Sequence, residues 1–227
     1  MRQEPRPEMA DSALDASALA ALLESVKRFE GPVPPLVKGI ADAELHRVAR
    51  FLRQLADGEA AYDDGEDRDW MLSLARTSTA SIDATSTLVV DGLERGFKGG
   101  FWTGDLGHRY LRAQTDAVRR GVTVRRLFIL DSTADAGRPE FLSICRSQTA
   151  ADIQVRVTDR ESVPLTLRSS LIDFVVFDRA ASYELIPAPS HSGAPTFLST
   201  RIIRRAEHLK ARIAQFETLW TLGAPPA

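Results

Sequence analysis

From Trp70 onward, stretches with helical spacing alternate with short apolar runs, and this alternation constrains the chain more than any other feature. The spacing predicts a short helix over 69–78, with Trp70, Leu72 and Leu74 apolar, then strand-like residues at 81–86 and 88–90. A glycine-rich loop follows at 92–104. Asp105 opens a helix whose inner face carries Leu106, Tyr110, Ala113 and Ala117, and Gly121 closes it. Residues 122–130 read as a buried strand, 139–149 as a helix and 153–157 as another strand. The run 171–177 is a further strand, with 181–186 returning beside it as a hairpin. Ile202, Ala206, Leu209, Ile213, Phe216 and Trp220 alternate steps of four and three, which predicts a long final helix. Strand, helix, strand in this order implies right-handed crossovers and a largely parallel sheet. The expected class is therefore α/β, with a mostly parallel or mixed sheet flanked by helices.

An N-terminal helical pair precedes this unit. Residues 1–11, charged and with two prolines, read as a disordered tail. Leu14, Ala18, Leu19, Leu22, Leu23 and Val26 form one amphipathic stripe, and Leu45, Val48, Ala49, Leu52 and Leu55 form a second. A pair of this size within residues 12–60 cannot hold a core alone, so a docking or dimerisation role is expected for it. The acidic stretch 63–69 reads as a linker to the main domain, taken as 68–221.

Charge and cysteine content narrow the functional classes. The net charge of −2 over 227 residues argues against a general nucleic-acid coat or an anionic membrane surface as partner. A lone cysteine, Cys145, permits no intrachain disulfide and suits a reducing cytoplasm. No apolar run approaches the roughly 20 residues of a membrane span.

The order of elements, together with particular stretches, resembles one repeat of the phospholipase D superfamily. The stretches are the helix W-M-L-S-L-A before the strand S-I-D-A-T-S, the turn Arg120-Gly121-Val122, the strand L-I-D-F-V-V-F-D and the closing F-E-T-L-W. The resemblance spans about residues 68–221. It implies a catalytic strand bearing His-x-Lys-x4-Asp. With Asp178 at the motif aspartate, the histidine position holds Leu171 and the lysine position holds Asp173. The family mechanism needs the histidine as nucleophile and the lysine to neutralise phosphate. Leucine cannot attack phosphorus and aspartate repels phosphate, so the resemblance implies the scaffold without its phosphodiester chemistry. Asp173 in place of lysine also implies a cleft that prefers amines or cations.

Several residues are candidates for a site. Asp83, Asp131, Asp173 and Asp178, with Thr85, lie on strands or just past their ends, where open α/β sheets bind ligands. Their alternative use is helix capping or pairing with the many arginines. Trp102 is either a stacking platform or a core plug. Tyr183 and Glu184 point either into the cleft or only along a hairpin. His108 is a candidate acid or base, against solvation. Arg119, Arg120, Arg125 and Arg126, with Arg201, Arg204, Arg205, Lys210 and Arg212, form basic faces that either bind an anionic polymer or are solvated and balanced by acids. No metal spacing occurs and no cofactor is expected.

The leading expectation is a non-catalytic ligand- or partner-binding module of bacterial cytoplasmic regulation, whose partner is a small molecule, a protein or a second copy of the chain. An alternative is a hydrolase or transferase with a rebuilt site drawing on Asp83, His108, Asp173, Asp178 and Glu184. A further alternative is an anionic-lipid or nucleic-acid binder using the arginine faces.

Overall fold

The computed structural model describes residues 15–29, 31–62, 68–87, 100–187 and 197–226. The tail at 1–11, the linker at 63–67, residues 88–99 of the strand-and-glycine stretch and residues 188–196 lie outside the described residues. The chain divides into two compact units, Met1–Arg50 and Phe51–Ala227.

The first unit holds helix α1 (Ala16–Lys27) and most of α2 (Pro35–Ala56). Asp15 caps α1, its carboxylate accepting from the Ser17 N–H at 2.9 Å. Leu19, Leu22 and Leu23 on α1 are exposed, as are Leu36, Val37, Ile40 and Val48 on α2.

The second unit is built on one seven-stranded sheet. Its strands are β1 (Glu59–Tyr62), β2 (Ser81–Thr87), β3 (Thr123–Leu130), β4 (Gln154–Asp159), β5 (Asp173–Phe177), β6 (Ala181–Pro187) and β7 (Phe197–Ile203), in the spatial order β1-β7-β6-β5-β2-β3-β4. β2, β3 and β4 are parallel neighbours, and every other pairing is antiparallel. The sheet is therefore mixed rather than largely parallel. The reason is the chain after β4: β5, β6 and β7 pair antiparallel with one another and β5 pairs antiparallel with β2, so crossovers give way to reversals of direction. Ile202, expected in the final helix, sits in β7, and helix α7 starts at Ala206 (Ala206–Leu222). β-branched Ile202 and Ile203 fit a pleated surface better than a helix turn.

Two layers of side chains sandwich the sheet. On one face, α3 (Arg68–Thr77), α4 (Asp105–Arg119) and α5 (Pro139–Thr149) cover Ile82, Ala84, Val124, Phe128, Leu130, Val175 and Phe177. Cys145 is buried there as expected, and burial pushes its thiol up to about 12. On the other face, α7 and the short α6 (Leu165–Arg168) cover Leu127, Ile129, Phe174 and Val176. In every strand, alternate residues go to alternate faces, so position parity decides which layer a side chain enters.

Two local features fix the frame. The β5–β6 reversal places Asp178 and Arg179 at φ 50° and 54°, where aspartate is tolerated and arginine is strained. A one-turn 3-10 helix at Phe101–Thr103 packs directly on α4 at Gly107. A Cβ on Gly107 would lie 2.1 Å from the Phe101 carbonyl oxygen. Gly107→Ala is therefore expected to displace the 101–103 turn and lower stability by about 1–3 kcal/mol, read by urea denaturation. Arg179→Gly is expected to raise stability by about 1 kcal/mol by relieving the left-handed conformation, read in the same assay.

Candidate ligand pocket

Strand β2 carries polar residues into the interior, and the site grows from how they are satisfied. Asp83 and Thr85 point toward α7, while Ser86 points toward α3 and α4. Asp83 accepts from Arg125 Nε at 2.7 Å, and Arg125 also grips Glu217 of α7 through both terminal nitrogens. Thr85 bonds the backbone of β5, donating to the Ile172 carbonyl at 3.1 Å and accepting from the Phe174 N–H. Thr87, at the strand's end, donates its N–H and its hydroxyl to Asp173 Oδ1 at 2.6 and 2.7 Å.

The candidate acids do not converge. Asp83 and Glu184 face α7, while Asp173 and Tyr183 face α3 and α4. Asp178 sits at the opposite end of β5 from Asp173. It accepts from the Thr79, Ala80 and Ser81 N–H groups at 2.8–2.9 Å. Burial works against its ionisation, but these donors outweigh it and hold the carboxyl below its usual value. Glu184 is buried on β6 and gripped from α7: Arg212 donates twice at 2.9 Å, and His208 Nε2 lies 2.5 Å away. Burial raises Glu184, and the bonds from Arg212 and His208 overcome it, leaving the carboxyl below its ordinary range. Asp131 is exposed just past β3. His108 is also exposed and borders a separate open cleft with Glu140, Ser143 and Ser147. Among the described residues, no three His, Cys, Asp or Glu side chains lie close enough to hold a metal ion.

What does converge is a cavity of about 40 Å³ between the sheet and the 101–103 turn. Thr85, Trp102, Asp173 and Tyr183, all sequence candidates, line it, together with Ser86, Tyr110, Arg126 and apolar residues including Met71, Phe101 and Leu185. Leu171, at the family's nucleophile position, packs instead against the α7-side core.

Arg126 is the residue that the sequence reading misplaced. It was expected on a basic surface, but only 2 % of it is exposed. Its Nη1 donates to Ser86 Oγ at 3.1 Å, and its guanidinium lies over Trp102 at 4.8 Å and Tyr110 at 5.6 Å. Arg125 and Arg212 are likewise drawn inward to carboxylates, Arg201 and Arg205 pair with Glu59, and Arg120 donates to the Ala75 and Ser78 carbonyls. The signal was available: Arg126 is in phase with Val124, Phe128 and Leu130, all buried. The cavity's charged donor is a guanidinium, and Asp173 Oδ1 is engaged by Thr87. Trp102 is part of the core and at the same time the face on which Arg126 rests.

No family model and no curated protein matches the chain. Among solved structures, the phospholipase D family member Nuc from Salmonella typhimurium is similar at 12 % identity, covering 73 % of this chain and 94 % of that one, with a TM-score of 0.47. NucT from Helicobacter pylori is similar at 6 % identity, covering 74 % and 98 %, with a TM-score of 0.46. The archaeal chromatin protein TrmBL2, whose structure shows a novel mode of DNA binding, is similar at 9 % identity, covering 92 % and 68 %, with a TM-score of 0.45. These likenesses concern the fold.

The Glu184 cluster yields a prediction with a definite sign in pH. Its lowered carboxyl contributes stability that is present above the unfolded glutamate pKa, about 4.3, and is lost as pH falls through the lower folded value. Glu184→Gln is expected to cost about 3 kcal/mol at pH 7. Denaturation curves for the two proteins should draw together as pH falls below about 4.

Proposed function

We propose that this chain is a non-catalytic ligand-binding module on a phospholipase-D-like scaffold, acting in bacterial cytoplasmic regulation. The observation that carries the reading is how the chain uses its acids. Asp83, Asp178 and Glu184 each bridge two elements, and Asp173 ties β5 to the end of β2. A group consumed in this way is poorly suited to act as nucleophile, acid or base. Leucine at position 171 and aspartate at 173 add to this, since neither serves a phospho-enzyme route. Among the described residues, no helix is long and apolar enough to cross a membrane.

The exposed leucines of α1 and α2 support a docking role for the helical pair, with a second copy of the chain as the first partner to test. Replacing Leu19, Leu22 and Leu23 together with serine is expected to shift sedimentation toward the monomer. A chain that is monomeric before the change refutes the dimer.

The catalytic question is tested directly. Purified protein is expected to leave bis-p-nitrophenyl phosphate and phosphatidylcholine intact. Turnover that survives repurification and disappears in Asp178→Ala would overturn the non-catalytic reading.

A further inference from the structure

The cavity beside Arg126 has an unusual electrostatic balance. Burying a guanidinium is costly unless its donors are met. Arg126 makes no ion pair among the described residues, and two of its donors, Nε–H and Nη2–H, have no hydrogen-bond partner. The aromatic faces of Trp102 and Tyr110 offset part of that cost. The Tyr110 hydroxyl is also buried and lies close to the Arg126 guanidinium, without a well-formed hydrogen bond. Burial raises its pKa against the charge of the Arg126 guanidinium and a hydrogen-bonding contact from it, so the hydroxyl stays protonated and able to donate.

These orphans have a specific shape. Nη1 is already committed to Ser86, which leaves Nε–H and Nη2–H, the edge of a guanidinium that presents two parallel donors. That edge matches the two oxygens of a carboxylate. The cavity has room for about three water-sized groups, enough for a carboxylate and a carbon or two. Its remaining walls, Met71, Phe101, Phe174, Val175 and Leu185, are apolar and suit a short hydrocarbon tail. Resting on the reading of the chain as a binding module, we propose that this cavity binds a short-chain monocarboxylate, held side-on by Arg126 with Tyr110 as a further donor. Asp173 shares the wall and opposes the bound charge, so the site selects against polyanions, whose extra charge meets that carboxylate.

The test is calorimetric titration of the full chain with acetate, propionate and butyrate, with propylamine and orthophosphate as comparison probes. One carboxylate is expected to bind per chain, tighter than orthophosphate, with no propylamine binding. Arg126→Gln should weaken it at least tenfold. Because that variant risks the fold, two milder changes carry the test independently. Tyr110→Phe should weaken binding several-fold, and Asp173→Asn should tighten it. Absence of carboxylate binding, a preference for propylamine or orthophosphate, or affinities unmoved by both milder variants would overturn the proposal. Any of these leaves the non-catalytic reading standing, because only phosphodiester turnover removes that.

Discussion

Strand β2 must bury polar side chains at Asp83, Thr85, Ser86 and Thr87, and the rest of the structure is organised around satisfying them. It is the strand at which the parallel and antiparallel halves of the sheet meet. Each of these four side chains finds its partner on a neighbouring strand: Asp83 and Ser86 on β3, Thr85 and Thr87 on β5. A one-residue slip of either neighbour would strand several buried polar groups at once. The strand's polarity thus specifies register where an all-apolar strand would allow sliding. The same logic reaches α7, since Arg125 joins Asp83 to Glu217 while its guanidinium lies over the stacked rings of Phe216 and Trp220.

The cavity differs from those acid networks in holding a buried cation with open donors. The acids facing α7 form closed networks in which every partner is a structural tie. On the opposite face, Arg126 is anchored at one nitrogen and left open at two. It is a charged group among the buried side chains left open, and it borders a cavity.

The elements after Trp70 were legible because apolar spacing reports burial directly, and β2 through β6 fall close to where that spacing puts them. β1 was not legible: its four residues are too short to show a period, and its partner β7 lies far away in sequence. The final strand was absorbed into the final helix because Ile202 happens to continue the helical spacing of α7. Of the residues lining the cavity, Thr85, Asp173 and Tyr183 draw notice in the sequence as strand residues and Trp102 as the aromatic of the glycine-rich loop. Arg126 is masked in the sequence because it stands with Arg119, Arg120 and Arg125 near the α4–β3 turn, a cluster that reads as one surface patch. Alternation along β3 separates them, sending Arg125 to α7 and Arg126 to the opposite layer. Pairings such as Glu184 with His208 and Arg212 depend on how α7 crosses the sheet, which no local pattern encodes.

The pairing of β1 with β7 has a consequence for how the molecule forms. Glu59 lies against Ile203, so the outer strand on that side waits for nearly the whole domain to emerge before it has a partner. Until then the inner order can build from nearer contacts: β2 to β3, β3 to β4, and the β5–β6 hairpin. Closing β1 onto β7 pays the largest loop-closure entropy of any pairing in the sheet. During synthesis the 59–62 segment is an unclaimed strand edge next to an exposed leucine-bearing helix. The interval before β7 arrives is when this chain is most open to pairing with the wrong neighbour.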